Sequence, residues 1–270
     1  CYTYLATLRN MLEACAERDV EVIVTDRPIP LPHVVDGPML DPRFASFVAP
    51  CPLPLVYGMT PAESALWMKD ALGLKVRLSV VPMKGWSRAD AAWDGTRPDF
   101  MPPSPGIKTW ECAMTYAATV FSEALPGVDC GRGTNLAFRV LGAPWLRAED
   151  LCARMPTLAG VTLHPYRYEA GAGRYAGREL EAIRLTVTDP ARFKPAQASL
   201  HIVRTLAELY GETRVWRQKG SRSGWFDKLY GTDQTRLFVK SGDPLEKLFA
   251  EWARERKTFD KARTKALLYT

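Results

Sequence analysis

Prolines decide most of what this chain can fold into. It has 21 of them in 270 residues. They crowd the passage "RPIPLPHVVDGPMLDPRFASFVAPCPLP", residues 27–54. A proline removes a backbone N–H and clashes with a helical neighbour, so this stretch can hold no long regular element. What precedes it is orderly. Leu5, Leu8, Met11, Leu12 and Cys15 fall on one helical face. That helix ends near Asp19 and feeds the short apolar strand "EVIVTD", which stops at Asp26. A helix, a β-branched strand and then a long loop make half of a doubly wound α/β unit. Loops in that position commonly carry the site.

The α/β rhythm resumes after the prolines. "PLVYG" predicts a strand and "MTPAESALWMKDAL" a helix, with Thr60 at its cap and Glu63 three residues on. "KVRLSVVPM" predicts the next strand, residues 84–108 a second long loop, and "TWECAMTYAATVFSEA" a helix. From Pro144 the character changes. "RAEDLCARM" reads as a helix, "VTLHPYRYE" and "LEAIRLTVTD" as strands, and "AQASLHIVRTLAELY" as an amphipathic helix. A long helix over "DPLEKLFAEWARERKTFDKARTKALL" closes the chain. The expected fold class is α/β. Residues 1–143 would be part of a Rossmann-like doubly wound domain, and 144–270 a smaller α/β domain.

Several function classes fall away on composition. The excess of 36 basic over 30 acidic side chains gives +6 and is spread along the chain, not gathered into the basic face that nucleic acid needs. Six cysteines without CxxC spacing and three histidines without HExxH predict neither a metal site nor a disulfide framework. No apolar run reaches the ~20 residues that span a bilayer. No cofactor is expected. Cys1 runs at once into a helix, without the polar tether that follows an acylated lipoprotein cysteine. The expectation is a chain cut within a domain.

The stretch "VDCGRGTNLAF", residues 128–138, is the most suggestive local motif. It lacks the spacing and lysine of a Walker loop, and Leu136 stands where a dinucleotide fingerprint has its third glycine. What is left is a turn presenting Arg132, either to an anion or sugar oxygen or to a local carboxylate. Candidate acids are Asp26, Asp36, Asp41, Glu63, Asp94, Glu111 and Glu123. Two carboxylates at a cleft can run glycoside hydrolysis. Loop aromatics Phe44, Trp86, Trp93 and Phe100 suit stacking on a sugar face or plugging the core.

A series of phrases then occurs in one order: "YTY", "DRP" at 26–28, "DGPMLDPRFASFV" at 36–48, "YGMTPAE" at 57–63 and "VVPMKGW" at 80–86. "PPSPGIKTWECAMTY" at 102–116, "GRGT" at 131–134, "GAPWL" at 142–146 and "VTD" at 187–189 follow. The series resembles the YbbC/NamZ family of bacterial exo-β-N-acetylmuramidases. The resemblance implies a Rossmann-like domain joined to a smaller α/β domain, with a cleft between them. It implies release of terminal N-acetylmuramic acid from peptidoglycan fragments by a mostly exported protein. Asp36 and Glu123 would be the catalytic acids here, alongside a glutamate in a "GPEHG"-like motif upstream of this chain. Arg27, Trp86, Ser104, Glu111, Tyr116, Arg132 and Thr134 would bind substrate. Ile29 and Gly106 stand where the family has asparagine, and Arg139 where it has an acid. Those departures imply an altered sugar preference or a non-catalytic, peptidoglycan-binding homologue. A nucleotide-binding α/β protein is the weakest alternative.

Overall fold

The computed structural model describes residues 4–89 and 100–269. Cys1, Trp93 and Asp94 lie outside them. The fold is mixed α/β, with helices around three small sheets among the described residues. Helix α1 (Tyr4–Glu17) leads into β1 (Val22–Thr25). Strand β2 (Asp36–Met39) and β3 (Pro54–Val56) form an antiparallel pair inside the proline passage. Helix α2 (Pro61–Ala71) follows, then β4 (Leu78–Val81), which runs parallel to β1 with Val22 opposite Leu78. Val22, Val24 and Leu78 pack on a core of Leu12, Leu53, Met59, Trp67 and Met68, while Ile23 and Val81 face outward.

Helix α3 (Trp110–Thr119) continues into a 3-10 turn, Val120–Glu123. Strands β5 (Val140–Ala143), β6 (Val161–Glu169) and β7 (Glu179–Val187) make an antiparallel sheet in the order β5-β7-β6, with α4 (Ala148–Arg154) between β5 and β6. A junction at 143/144 therefore leaves β5 on one side and its ladder partner β7 on the other. Helix α5 (Pro195–Val215) breaks at Gly211, and α6 (Ser223–Tyr230), α7 (Gln234–Ser241) and α8 (Leu245–Ala266) complete the chain. Left-handed Gly231 and Gly242 end α6 and α7, as glycine does where a Cβ would be strained.

The larger core joins both halves of the sequence: Phe121, Leu141, Ile183, Phe193, Ile202, Phe226 and Trp252 are all fully buried. Helix α8 then crosses back, placing Phe259 and Ala266 in the core of α2. Residues beyond α8 seal that return. Buried Arg88 pairs with Glu63 and donates to the carbonyls of Pro32 (2.6 Å), Gly58 (3.0 Å) and Tyr269 (3.1 Å). Leu268 N–H donates to Glu63 Oε1 at 2.9 Å, and the Tyr269 hydroxyl to Asp26 at 2.7 Å. A buried ion pair is tolerable only when its remaining valences are filled in this way.

Candidate functional site

One cleft of about 810 Å³ opens where these parts meet. Its walls come from the loop after β1 (Arg27, Ile29), β3 and the loop that follows it (Leu55, Met59), the segment Pro103–Ile107, and α3 (Trp110, Tyr116). Glu123 and Arg132 line it together with Phe138. The volume is that of a small-molecule site, and apolar walls with a few charged groups are the usual composition.

Glu123 is carried by the 3-10 turn that continues α3, and its side chain is 14% exposed. Arg132 Nη1 donates to Glu123 Oε1 at 2.7 Å. The guanidinium also lies over the Phe138 ring, 5.6 Å from its centroid, within cation–π range. Phe138 itself has φ of 61°, a left-handed conformation that a bulky residue rarely adopts. Two hydrogen bonds hold it there: Phe138 N–H donates to Cys130 O at 2.6 Å, and Thr119 Oγ1 donates to Phe138 O at 3.1 Å. Tyr116 meets the same ring edge-on at 4.7 Å. Strain of this kind persists only where the surroundings impose it, and it gathers at sites.

The loop between Cys130 and Phe138 is built around its glycines. A Cβ on Gly131 would fall 2.7 Å from Leu136 O, and one on Gly133 2.8 Å from the Gly171 backbone. Both have positive φ, 73° and 82°. Thr134 N–H and Oγ1 both donate to Gly131 O, closing the turn. The two glycines thus serve backbone geometry, and Arg132 is the residue between them that reaches out.

Of the nine residues picked out from sequence, five line the cleft: Arg27, Ser104, Tyr116, Glu123 and Arg132. Arg27 is braced by a 2.6 Å hydrogen bond from Nη2 to Met101 O. The other four lie elsewhere. Thr134 closes the glycine turn, Trp86 packs edge-on against Tyr269 at 4.8 Å, and Glu111 sits in the first turn of α3. Asp36 is fully buried, and its Oδ2 accepts from Ala196 N–H (2.7 Å) and Gln197 N–H (3.2 Å) at the start of α5. Burial pushes its carboxyl up, opposed by the backbone N–H groups of Gln197 and Gly37 and by Arg256 and Lys194. Glu123 is consequently the sole carboxylate among the described residues that line the cleft. Phe100 lines it as well, whereas Phe44 does not.

Sequence reasoning passed over Trp110, Phe138 and Tyr4 as cleft residues. For Phe138 the only available signal was its distance past the glycine turn. Burial pushes the Cys130 thiol up to about 12, which leaves it a poor nucleophile. Among the described residues no group of His, Cys, Asp or Glu is arranged to hold a metal ion, and no helix is long and apolar enough to cross a membrane.

The chain is a mixed α/β protein whose cleft carries one acid and two arginines among apolar walls, the lining usual for a small-molecule site. Comparison narrows this to one family: the chain belongs to the NamZ family. Residues 114–269 match the family model for the C-terminal part of exo-beta-N-acetylmuramidase NamZ, and residues 1–111 match that for its N-terminal part. A relative from Bacillus subtilis (strain 168), peptidoglycan beta-N-acetylmuramidase NamZ, is 32% identical over 99% of this chain. The chain spans 64% of that relative's length. Two crystal structures of DUF1343 family proteins from Bacteroides fragilis NCTC 9343 share the fold. One has a TM-score of 0.87 at 24% identity, covering 99% of this chain and 71% of its own. The other has a TM-score of 0.77 at 26% identity, covering 100% of this chain and 72% of its own.

Proposed function

We propose that this chain forms the substrate cleft of an exo-β-N-acetylmuramidase, a glycoside hydrolase releasing terminal N-acetylmuramic acid from peptidoglycan fragments. The observation that carries the reading is the Glu123–Arg132 pair on the wall of a largely apolar cleft. The family models and the Bacillus subtilis relative support it. The substrate differs from N-acetylglucosamine by a lactyl ether with a carboxylate. A guanidinium matches that carboxylate bidentately. The bond to Glu123 uses one amino group of the Arg132 fork, and the Arg132 side chain is 54% exposed. Phe138 and Tyr116 line the cleft beside this pair, where the sugar ring would sit. Glu123, beside the arginine that holds the lactyl group, would act on the glycosidic oxygen or on the attacking water.

A finer fold assignment goes with this reading. The parallel β1–β4 pair, with apolar Ile23 and Val81 on its outer face, is consistent with a Rossmann-like sheet, since parallel strands are normally covered on both faces. The two family models meet between residues 111 and 114, within α3, and the β5-β7-β6 ladder falls wholly in the second.

One observation favours a second reading, a non-catalytic amino-sugar-binding homologue. Hydrolysis by paired carboxylates needs two acids, and with Asp36 sealed at the start of α5, Glu123 is the one carboxylate that the described residues bring to the cleft. The test is release of N-acetylmuramic acid from an N-acetylmuramyl–N-acetylglucosamine disaccharide by the product of the complete reading frame. Glu123→Gln should lower kcat by about 10²-fold or more, and Arg132→Ala should chiefly raise KM. Binding without release in the unaltered protein would establish the second reading.

A further inference from the structure

We propose that Asp129 and Tyr168 are positioning residues for Arg132, setting the glycine turn that presents its guanidinium to the cleft. The inference rests on the reading that Arg132 meets the substrate anion.

Neither residue lines the cleft. Asp129 is anchored through its backbone, which exchanges two hydrogen bonds with Gly142 of β5 at 2.7 and 2.9 Å. Its Oδ1 accepts the Gly131 N–H at 2.7 Å, and the Tyr168 hydroxyl donates to the same oxygen. Tyr168 reaches it from β6, two strands away in the sheet order. Its ring lies on Gly142, where an added Cβ would come within 2.9 Å of Cε1. The tyrosine is 7% exposed, packed with Val140, Ala170, Tyr175 and Leu180.

The chain of contact is short. Tyr168 holds the carboxylate, the carboxylate holds the Gly131 N–H, and Arg132 is the next residue. Gly131 and Gly133 can rotate more freely than other residues, so the direction of Arg132 needs an external constraint. On the far side the turn is pinned by backbone contact between Gly133 and Gly171, two residues beyond the end of β6. Strand β6 and the residues just after it therefore grip the turn at both ends. Burial, and then the carboxylate, push the Tyr168 phenol above its usual range, so it remains a donor.

The experiment uses Tyr168→Phe, Asp129→Ala and Asp129→Asn in the full-length protein, each alone and with Arg132→Ala. Titration calorimetry reads binding of N-acetylmuramic acid against N-acetylglucosamine, with thermal melting alongside. Tyr168→Phe and Asp129→Ala should weaken the acidic sugar by about tenfold, the scale of one charged hydrogen bond, and leave the neutral sugar unchanged. Neither should add to the loss caused by Arg132→Ala. Asp129→Asn, whose amide oxygen still accepts both bonds, should restore the selectivity. Equal weakening of both sugars, or an undiminished effect beside Arg132→Ala, would overturn the proposal.

A second readout separates it from the functional reading. The Nε–Hε resonance of Arg132, assigned by its disappearance in Arg132→Lys, should shift or broaden in Tyr168→Phe. An unmoved resonance overturns the positioning role. A moved resonance in a protein that binds neither sugar supports positioning and removes the anion-binding reading alone.

Discussion

Asp36 and Asp129 are acids whose carboxylates end on backbone N–H groups outside the cleft, one at the start of α5 and one at the glycine turn. For Asp36 the consequence is electrostatic. Burial holds its carboxyl above the usual range, so the folded chain keeps a proton that the unfolded chain releases. Its contribution to stability is therefore present at low pH and lost as pH rises through the folded-state value. Asp36→Asn keeps an acceptor for Ala196 and Gln197 and carries no charge. Thermal melts should give a flatter pH profile for this variant as pH rises above about 4, the usual aspartate value, with melting there no lower than wild type. Asp36→Ala leaves both N–H groups without that acceptor and should cost about 1–3 kcal/mol by denaturant titration. Its "DGP" motif reads from sequence as a cleft acid. The partners that bury it lie 160 and 161 residues further along.

Local signals made some elements legible and left others hidden. Helix α2 was readable because its capping box is a matter of three residues: Thr60 Oγ1 accepts from Glu63 N–H, and Glu63 Oε2 accepts from Thr60 N–H. The same hydroxyl donates to Asp26 at 2.7 Å, tying the helix start to the end of β1. Thr60→Ala should thus cost about 1–2 kcal/mol, read from chemical denaturation. Glu63→Ala should cost more, about 3–5 kcal/mol, because it strands buried Arg88. Strand β2 was invisible: "DGPM" has the residues of a turn, and its pairing with β3 is irregular between Asp36 and Met39. Strand β5 was invisible for another reason. "VLGA" is buried on both faces, so it has no alternation, and its partner strand begins 36 residues after it ends. The cleft split in the same way. Glu123, Arg132 and Tyr116 were found through motif and residue type, whereas the grip of Tyr168 on Asp129 spans 39 residues and leaves no local trace.

At the scale of the molecule, the helices after β7 hold the two halves together. Trp252 is 1% exposed in the larger core, while Phe259, further along the same helix, packs on Trp67 of α2 at 5.8 Å. Trp252→Ala should cost about 3–5 kcal/mol. Because α8 spans both cores, fluorescence and circular dichroism should report one coincident transition at lower denaturant, not two separate ones. The same return of the chain also sets an order of events in the cell. Synthesis delivers β1, α2 and β4 early, but the residues that cover Trp67 and complete the bonding of Glu63 and Arg88 emerge from the ribosome long afterwards. Segments made first normally fold first. Here β1, α2 and β4 precede α8 in synthesis, so Trp67 lacks the Phe259 ring that packs on it until α8 arrives.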